Sequence, residues 1–469
     1  MSATEAASRR GSEWLSDWDP EDEQKWNSQL AWRTLSITTF ALTLAFCTWF
    51  LASAIAPNLS NLGFKLDKNQ LYWLAAMPGL AGGTLRLVWM WLPPIMGTRK
   101  LVTLTTVLLL IPLVGWGMAV QNPSTSYTTF MILAALSGIG GGAFSGFMPS
   151  TSYFFPRRKQ GTALGLQAGI GNFGVSIVQF VTPWIIGFSL LGVLGTSQTF
   201  HDPAKNTNHQ VWEQNAAFIY VPFVVVAAIL AWTMLKSVPV RANFRQQMDI
   251  FKNIDTWFMT ALYIMTFGTF AGLSAQFGLL IKNLYGAGNT AIVATAADGS
   301  TSVLVPGYTV PLALSFAFLG PLVGAGARVA FSPLTDRWGG ARWTLVSGIG
   351  ILLSLLFTML HVNPDPSAGA DALQSDFTLF LWGMVSIFFF TGIGNASTFK
   401  QMPMIFERRQ AGGVIGWTSA IAAYGPFFFG IGLAVANITA FFTLGVVFAA
   451  ACIVLTWVRY ARPGAPKPS

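Results

Sequence analysis

The sequence predicts an all-α membrane protein in which twelve transmembrane helices form two pseudo-symmetric six-helix halves. Three observations predict this fold class: the composition, twelve long apolar stretches and an internal repeat. Of the 469 residues, 53% are hydrophobic and only 10% are charged. Because about a quarter of the residues of a soluble domain are charged, the composition excludes a chain of soluble domains.

Twelve apolar stretches have the length of about 20 residues that a helix needs to cross a hydrocarbon core ~30 Å thick. They divide the chain into a first half, 34–236, and a second half, 256–459, joined by a loop at 237–255, with tails at 1–33 and 460–469. The predicted spans are 34–56, 72–94, 101–120, 129–151, 161–187, 215–236, 256–281, 309–331, 343–361, 377–398, 412–434 and 437–459.

The basic residues predict the orientation of these spans. Of the 27 Lys and Arg, 21 fall in the tails and the loops after even-numbered spans, four in the opposite loops and two inside spans. This bias predicts that both tails are cytoplasmic, and the dispersed basic residues exclude a nucleic-acid partner. The polar first 30 residues contain no cleavable signal, so the first span is expected to act as an uncleaved insertion signal.

An internal repeat relates the two halves. Residues 155–165, FPRRKQGTALG, and 406–416, FERRQAGGVIG, share a Phe, an Arg pair and two glycines at a constant offset of 251. A second correspondence surrounds an arginine in the second span of each half, with a glycine four residues before it and another eleven residues after it. Its members are Gly82, Arg86 and Gly97 in the first half and Gly324, Arg328 and Gly339 in the second.

Two parallel six-helix halves with a substrate site between them at mid-depth are typical of the major facilitator architecture. The second half also contains Asp336-Arg337-Trp-Gly339-Gly-Ala-Arg342, which is similar to the D-R-x-G-x-R loop of that superfamily. We interpret these residues as a conformational loop. The corresponding first-half loop, residues 97–100, lacks the aspartate.

Arg86 and Arg328 are the candidate substrate ligands. Eleven helical residues at ~1.5 Å each place their guanidinium groups ~16 Å from the following loop, about half of a ~30 Å core. None of the 18 Asp and Glu falls in a predicted span, and His201, His209 and His361 belong to outer loops or a helix end. A charge at that depth normally faces a cavity and a partner, so we interpret the pair as the site of a small anion. The alternative is that helix-end carbonyls or an intramembrane acid satisfy each arginine.

The absence of acids from the spans also favours exchange of one anion for another over proton coupling, which usually uses an intramembrane Asp, Glu or His. Two like charges repel across an empty site and oppose its closure, whereas a bound anion offsets the repulsion. No enzymatic activity is expected, because a membrane redox enzyme would need intramembrane His ligands for haem. No metal or other cofactor is expected either, since Cys47 and Cys452 lie apart in apolar stretches.

Asn172 is a polar amide inside the glycine-rich fifth span, and its counterpart at the 251 offset is Ala423. This break of the repeat symmetry indicates either a substrate contact or a hydrogen bond between helices. The glycines of the fourth and fifth spans let helix backbones approach and slide. Helix packing alone is the alternative for most of them.

The sequence around Asn172 resembles a known family. Residues 165–176, GLQAGIGNFGVS, are similar to the first nitrate signature of the nitrate/nitrite porter family (NarK-type), and residues 412–425, GGVIGWTSAIAAYG, to the second. Residues 18–26 and 44–49 resemble its N-terminal region, so the resemblance covers nearly the whole chain. It implies a carrier in a cytoplasmic (inner) membrane that exchanges nitrate and nitrite, with the lipid bilayer as its surroundings, and we expect a monomer.

The resemblance also implies roles for particular residues. Arg86 and Arg328 match the substrate arginines of the family, Asn172 matches the signature amide, and Phe144, Tyr263 and Phe267 match aromatic positions around the anion. The expected gating glycines are Gly165, Gly169, Gly171 and Gly174 in the first signature and Gly412, Gly416 and Gly425 in the second. Where the family is richer in glycine, this chain has Ala420, Ala422, Ala423 and Pro426.

Two other functions remain open from the sequence. A proton-coupled nitrate symporter could use Tyr263 or a water molecule in place of the missing carboxylate. An anion channel could use the same arginines, although the repeat and the glycine-lined helices favour a rocking carrier.

Overall fold

The computed structural model describes residues 13–15, 17–189, 195–203, 205–240, 248–295 and 301–469. The predicted N-terminal tail before residue 13 and residues 241–247 of the predicted loop between the halves lie outside the described residues. The side chains of Asp336, Arg408 and Arg409 lie outside them as well. The described residues form a bundle of long helices with two short β-hairpins at one end.

The helices of the first half alternate in direction across the bundle, and one β-hairpin follows the fifth predicted span. The elements are α1 (Ser28–Trp49), α2 (Leu51–Leu59), α3 (Lys68–Trp89), α4 (Pro93–Met96), α5 (Thr98–Leu108), α6 (Leu110–Ala119), α7 (Tyr127–Ser152), α8 (Arg157–Ile185), β1 (Gln198–Asp202), β2 (Thr207–Val211), α9 (Asn215–Phe218) and α10 (Val221–Met234). Strands β1 and β2 pair antiparallel.

The second half also consists of long helices, but its hairpin follows its first span, the seventh of the chain. The elements are α11 (Ile254–Tyr263), a π-turn (Ile264–Gly268), α12 (Thr269–Leu284), β3 (Val293–Thr295), β4 (Thr301–Val303), α13 (Leu314–Ala317), α14 (Leu319–Trp338), α15 (Gly340–Met359), α16 (Ala370–Ile405), α17 (Arg408–Ala422), α18 (Gly425–Val435), α19 (Ile438–Thr456) and a closing π-turn (Trp457–Ala461). Short 3₁₀ turns lie at Ser60–Leu62, Met248–Lys252 and Pro366–Ala368. Strands β3 and β4 pair antiparallel.

Among the described residues, 11 helical stretches are long and apolar enough to cross a membrane. The predicted span at 72–94 is not one of them, although α3 has 22 residues. The reason is the low mean hydropathy of α3. The helix contains Lys68 at its start, Pro78 in its middle and Arg86 in its last turn. The all-α membrane fold is therefore confirmed, while the count of twelve apolar spans rests on a helix that is less apolar than the others.

Glycines bring the helix backbones into direct contact. A Cβ atom on Gly140 of α7 would lie 2.0 Å from the carbonyl oxygen of Ala45 in α1. A Cβ on Gly174 of α8 would lie 2.3 Å from the carbonyl oxygen of Thr43. These distances leave no room for any side chain, so α1, α7 and α8 pack as closely as their backbones allow.

Hydrogen bonds between the two halves concentrate at the end of the bundle that carries the β-hairpins, which we call the hairpin end. Lys282 Nζ of α12 donates to the carbonyl oxygen of Pro57 at 2.7 Å and to Ser60 Oγ at 2.8 Å. Gln179 of α8 donates to the carbonyl oxygen of Ser274 at 2.7 Å. The opposite end carries the basic loops, and we call it the basic end. The halves are thus joined at the hairpin end.

Four Asp residues that the sequence assigned to loops lie inside helices, which corrects that assignment: Asp255 in α11, Asp336 in α14, and Asp371 and Asp376 in α16. Asp255 is in the first turn of α11 and accepts from Arg459 at 2.9 and 3.0 Å. Asp376 lies in α16 and accepts from the Tyr285 hydroxyl at 2.6 Å. α11 and α16 begin earlier than predicted and α14 ends later, because hydropathy detects the apolar centre of a helix and misses its polar end turns.

Glu213 is a fully buried carboxylate at the hairpin end, two residues before the first residue of α9. Both of its carboxylate oxygens accept from Asn58 Nδ2 at 3.2 Å. Burial away from any cation raises the pKa of Glu213 to about 8, from an ordinary value of 4.5. A carboxylic acid with a raised pKa is held in its neutral form up to neutral pH.

The close approach of α7 to α1 gives a first prediction. We expect Gly140→Ala to lower the free energy of unfolding by about 1–3 kcal/mol, because the new methyl group must push the two backbones apart. Gly161→Ala is the matched control, since a Cβ there meets nothing within 4 Å. Thermal unfolding of both variants in detergent measures the difference, and equal stability of the two would contradict the packing described here.

The raised pKa of Glu213 gives a second prediction. Because the folded-state pKa lies above the unfolded one, the stability linked to this group is fully present below about pH 4.5 and is lost as the pH rises through about 8. The unfolding temperature of the wild type should therefore fall over that range. In Glu213→Gln the fall should be smaller, and identical pH profiles would show that Glu213 is not neutral in the folded protein.

Candidate functional site

Arg86 lies in the last turn of α3 with 0% of its surface exposed. Its Nε donates to the carbonyl oxygen of Gly141 in the same half, and its Nη1 donates to the carbonyl oxygen of Ser419 in the other half, both at 2.8 Å. Its Nη2 has no hydrogen-bond partner among the described residues. The guanidinium carbon lies 5.0 Å from the ring centroid of Trp49 and 4.7 Å from that of Phe144.

Arg328 lies in α14 and is 2% exposed. Its guanidinium carbon lies 5.4 Å from the ring centroid of Phe399 in α16. No hydrogen bond joins this guanidinium to any described residue, and its Nη1 is buried without a partner. The two arginines thus differ, since Arg86 is held by two backbone carbonyls and Arg328 by an aromatic face.

Four aromatic rings, which we call the ring cluster, connect the two guanidinium groups: Phe144, Tyr263, Phe267 and Phe399. Tyr263 and Phe267 stack with centroids 5.3 Å apart and an angle of 9°. Phe144 lies 6.5 Å from Phe267 and 6.3 Å from Phe399, and Tyr263 lies 5.9 Å from Phe399. Arg86 contacts Phe144 and Phe267 at one side of the cluster, and Arg328 contacts Phe399. The predicted arginines and rings therefore come together.

Arg86 is also close enough to Arg328 and to Tyr263 to interact with both electrostatically. No described Asp or Glu forms an ion pair with either arginine. The interpretation that an intramembrane acid neutralises them is therefore wrong for the described residues. Their charge is offset only by carbonyl oxygens and ring faces, and a cation over a desolvated ring face gains ~2 kcal/mol or more.

Further polar atoms near this site have no partner. The hydroxyl of Tyr263 and both amide atoms of Asn172 are buried and unpaired among the described residues. Asn172 lies in α8, three residues after Gly169, whose Cβ would lie 2.5 Å from Val329 Cγ2. Since Val329 directly follows Arg328, α8 packs against α14 at the level of the site. The sequence left a hydrogen bond between helices open for Asn172, and the structure has none.

The first-signature glycines divide into two groups by what surrounds them. Gly171 and Gly174 pack against α1 of their own half, where a Cβ would lie 2.8 Å from Leu42 Cδ2 and 2.3 Å from the Thr43 carbonyl. Gly169 faces α14 of the other half, and the nearest atom to a Cβ on Gly165 is Ser332 Oγ at 3.9 Å, also in α14. Only the second pair therefore lies where the halves meet.

The second-signature glycines are similarly divided. A Cβ on Gly416 would lie 3.0 Å from Met90 Cε of the first half, whereas one on Gly412 would meet nothing within 4 Å. A Cβ on Gly425 would lie 2.2 Å from the carbonyl oxygen of Gly268, so α18 crosses the π-turn in backbone contact. The helix is interrupted there, because α17 ends at Ala422 and α18 begins at Gly425 with Pro426 in its first turn.

The glycines that end the second span of each half share an unusual backbone conformation. Gly97 has φ 77° and Gly339 has φ 89°, values that side-chain-bearing residues rarely adopt. Each glycine connects one helix to the next. The two glycines that correspond in the sequence repeat therefore also have the same backbone conformation. In the conformational loop, Arg337 lies 5.8 Å from the ring of Trp338 and precedes Gly339, with Arg342 in the first turn of α15.

Two side chains of the site were missed by the sequence analysis. Phe399 contacts Arg328, and Trp49 contacts Arg86 and donates its indole N–H to the carbonyl oxygen of Pro78 at 2.8 Å. Both lie in helices that are apolar on all sides, where periodicity cannot indicate which face is functional. No sequence signal distinguishes Phe399 from the other 37 phenylalanines.

Comparison with known proteins identifies the family. The family model of the Major Facilitator Superfamily matches residues 38–403. The chain is 57% identical to a probable nitrate/nitrite antiporter, NarK2, of Thermus thermophilus over 97% of this chain and 98% of the relative. It is 34% and 33% identical to the nitrate/nitrite transporters NarU of Salmonella typhimurium and Escherichia coli, over 96% of each chain in both cases. The chain therefore belongs to the nitrate/nitrite porter (NarK-type) family of the major facilitator superfamily.

Proposed function

We propose that the protein is a secondary transporter that exchanges nitrate and nitrite across the cytoplasmic (inner) membrane by alternating access. The observation that carries this proposal is the pair of buried guanidinium groups, each with an unpaired nitrogen, on either side of one ring cluster. The printed names of the relatives, which are nitrate/nitrite antiporters and transporters, support the choice of substrate.

The chemistry of the site suits a small flat oxyanion. A guanidinium group is planar, always charged and able to donate two parallel hydrogen bonds, whereas a lysine acts as a point charge. In our proposal Arg86 and Arg328 bind the anion and the ring cluster surrounds it. The Tyr263 hydroxyl and the Asn172 amide donate hydrogen bonds to its oxygens. The unpaired atoms of these side chains would then gain partners, which removes the penalty of burying them alone.

The positive charges of Arg86 and Arg328, which no described carboxylate neutralises, favour exchange of one anion for another. Without an anion, two guanidinium groups repel each other across the site, and no described carboxylate offsets them. A bound anion cancels the repulsion, so the halves can rock past each other only when loaded. Gly165, Gly169 and Gly416 lie at the boundary of the halves and would allow this movement.

The orientation of the chain is part of the proposal. The positive-inside bias assigns the basic end and both tails to the cytoplasm. The hairpin end, where Lys282 and Gln179 join the halves, would then face outward. In that orientation the described conformation is closed to the outside. We also keep the division at 34–236 and 256–459, and a monomer, as parts of the proposal.

One observation favours proton-coupled nitrate symport as the second candidate. Glu213 is fully buried and its pKa is raised to about 8, so it could carry a proton at neutral pH. Its carboxylate is bonded to Asn58 at the hairpin end, however, and contacts neither arginine. We therefore rank symport second.

Transport in proteoliposomes tests exchange. Labelled nitrate should enter rapidly only when nitrite or nitrate is present inside, because an empty site opposes closure. Liposomes loaded with chloride or sulfate are the control. Uptake that is independent of the internal anion and accompanied by external alkalinisation, and that is lost in Glu213→Gln, would replace exchange with symport.

Lysine substitutions test the role of the arginines. Arg86→Lys and Arg328→Lys should each slow exchange by roughly tenfold to a hundredfold, since a charged hydrogen bond is worth about 1.5–3 kcal/mol. Arg158→Lys is the control, because Arg158 is exposed and pairs with Glu23 at 2.8 Å on the surface. Exchange close to the wild-type rate in either buried variant would contradict bidentate recognition.

A further inference from the structure

We propose that Asn395 is a specificity-determining contact of the second half, whose amide donates to an oxygen of the bound anion and favours nitrate over nitrite. This inference rests on the proposed function and adds a residue to its site. Asn395 lies in α16, outside both signature segments.

The Asn395 amide is buried without any partner. Its side chain is 0% exposed, and neither Oδ1 nor Nδ2 has a hydrogen bond among the described residues. The three neighbouring hydroxyls on α16 are all satisfied, through Thr391 to the Phe388 carbonyl and through Ser397 and Thr398 to the Gly394 carbonyl. A buried amide is almost always paired, so the isolated exception on this helix indicates a group that binds a ligand.

The packing of α16 against α14 places Asn395 at the level of Arg328. A Cβ on Gly320 would meet the Phe388 ring, and one on Gly392 would lie 2.1 Å from the Gly324 carbonyl, so the two helices run parallel in close contact. Continuing along both by one turn brings Asn395 to the level of Arg328. Phe399 follows Asn395 by four residues and therefore shares its helix face, and Phe399 contacts the Arg328 guanidinium.

The internal repeat gives Asn395 a meaningful counterpart. At the offset of 251, Asn395 corresponds to Phe144, whose ring lies 4.7 Å from the Arg86 guanidinium. Beside its arginine, the first half thus has a ring where the second half has an amide. The first half supplies its own unpaired amide, Asn172, from the next helix. Each half then contributes one arginine and one asparagine to the site.

In this proposal the amides of Asn172 and Asn395 distinguish nitrate from nitrite by the number of hydrogen bonds that each anion accepts. Nitrate has three oxygens that accept hydrogen bonds and nitrite has two, so nitrate needs more donors. The proposed function already gives the anion donors from Arg86, Arg328, Tyr263 and Asn172, and the Asn395 amide adds a further donor from the side of Arg328. The Asn395 Oδ1 can accept from Arg328, which orients Nδ2 toward the anion. A site built to pair a substrate atom discriminates against an analogue that lacks it.

Substitution of Asn395 tests the inference. Asn395→Leu keeps the size of the side chain and removes the amide, and it should weaken nitrate binding roughly tenfold or more, while nitrite binding changes by less than about threefold. Asn395→Asp should abolish binding of both anions, because its carboxylate would pair with Arg328. Thr391→Val, one turn earlier on α16, is the control and should bind as the wild type does. Dissociation constants for sodium nitrate and sodium nitrite, from anion-induced shifts in unfolding temperature, measure all three.

Three results would overturn the inference. Equal weakening of nitrate and nitrite in Asn395→Leu would assign the residue a structural role. Unchanged binding of both anions would show that the amide is not a ligand. If the leucine variant does not fold, Asn395→Asp carries the test, and wild-type affinity in that variant overturns the inference. Failure of the proposed function is distinguishable, since the wild type itself would then bind neither anion.

Discussion

The structure depends on one electrostatic constraint, which is that two guanidinium groups are buried near each other and pair with no carboxylate of the described residues. Burying a single charge is costly unless it is paired, and here two like charges share one ring cluster. Backbone carbonyls and ring faces hold Arg86 but leave its Nη2 unpaired, while Arg328 contacts only the face of Phe399 among the described residues. In the proposed function, this residual positive charge is what a bound anion neutralises, and it opposes movement of the halves without cargo.

The helices around this charge are irregular where the site requires it. The π-turn at Ile264–Gly268 separates α11 from α12 and contains Phe267, and such turns are frequent at functional sites. The interruption between α17 and α18 lies against that turn, where Gly425 meets the Gly268 carbonyl. Ala422 and Ala423, which stand where the family is richer in glycine, lie at this interruption of the helix. Gly425 and Pro426 already interrupt the helix there without further glycines.

Charge and repetition made the arginines predictable, because an arginine in an apolar span is rare and two at equivalent positions are rarer. Tyr263 and Phe267, which the family resemblance assigns to the surroundings of the anion, lie side by side with stacked rings. Phe399 and Asn395 were not predictable, since α16 is apolar around most of its circumference and its functional face is defined only by contact with α14. Asp255 was assigned to a loop because hydropathy locates the centres of helices and not their ends.

The two arginines are not equivalent, and this asymmetry has a consequence for redesign. Arg86 donates to the Ser419 carbonyl across the boundary of the halves, so besides its proposed role as a ligand it links the two halves, and we expect its replacement to weaken their packing. Arg328 makes no such link. An attempt to convert this scaffold to a different cargo should therefore leave the α3 side intact and vary the pocket wall formed by α14 and α16, where new chemistry can be introduced without loosening the joint between the halves.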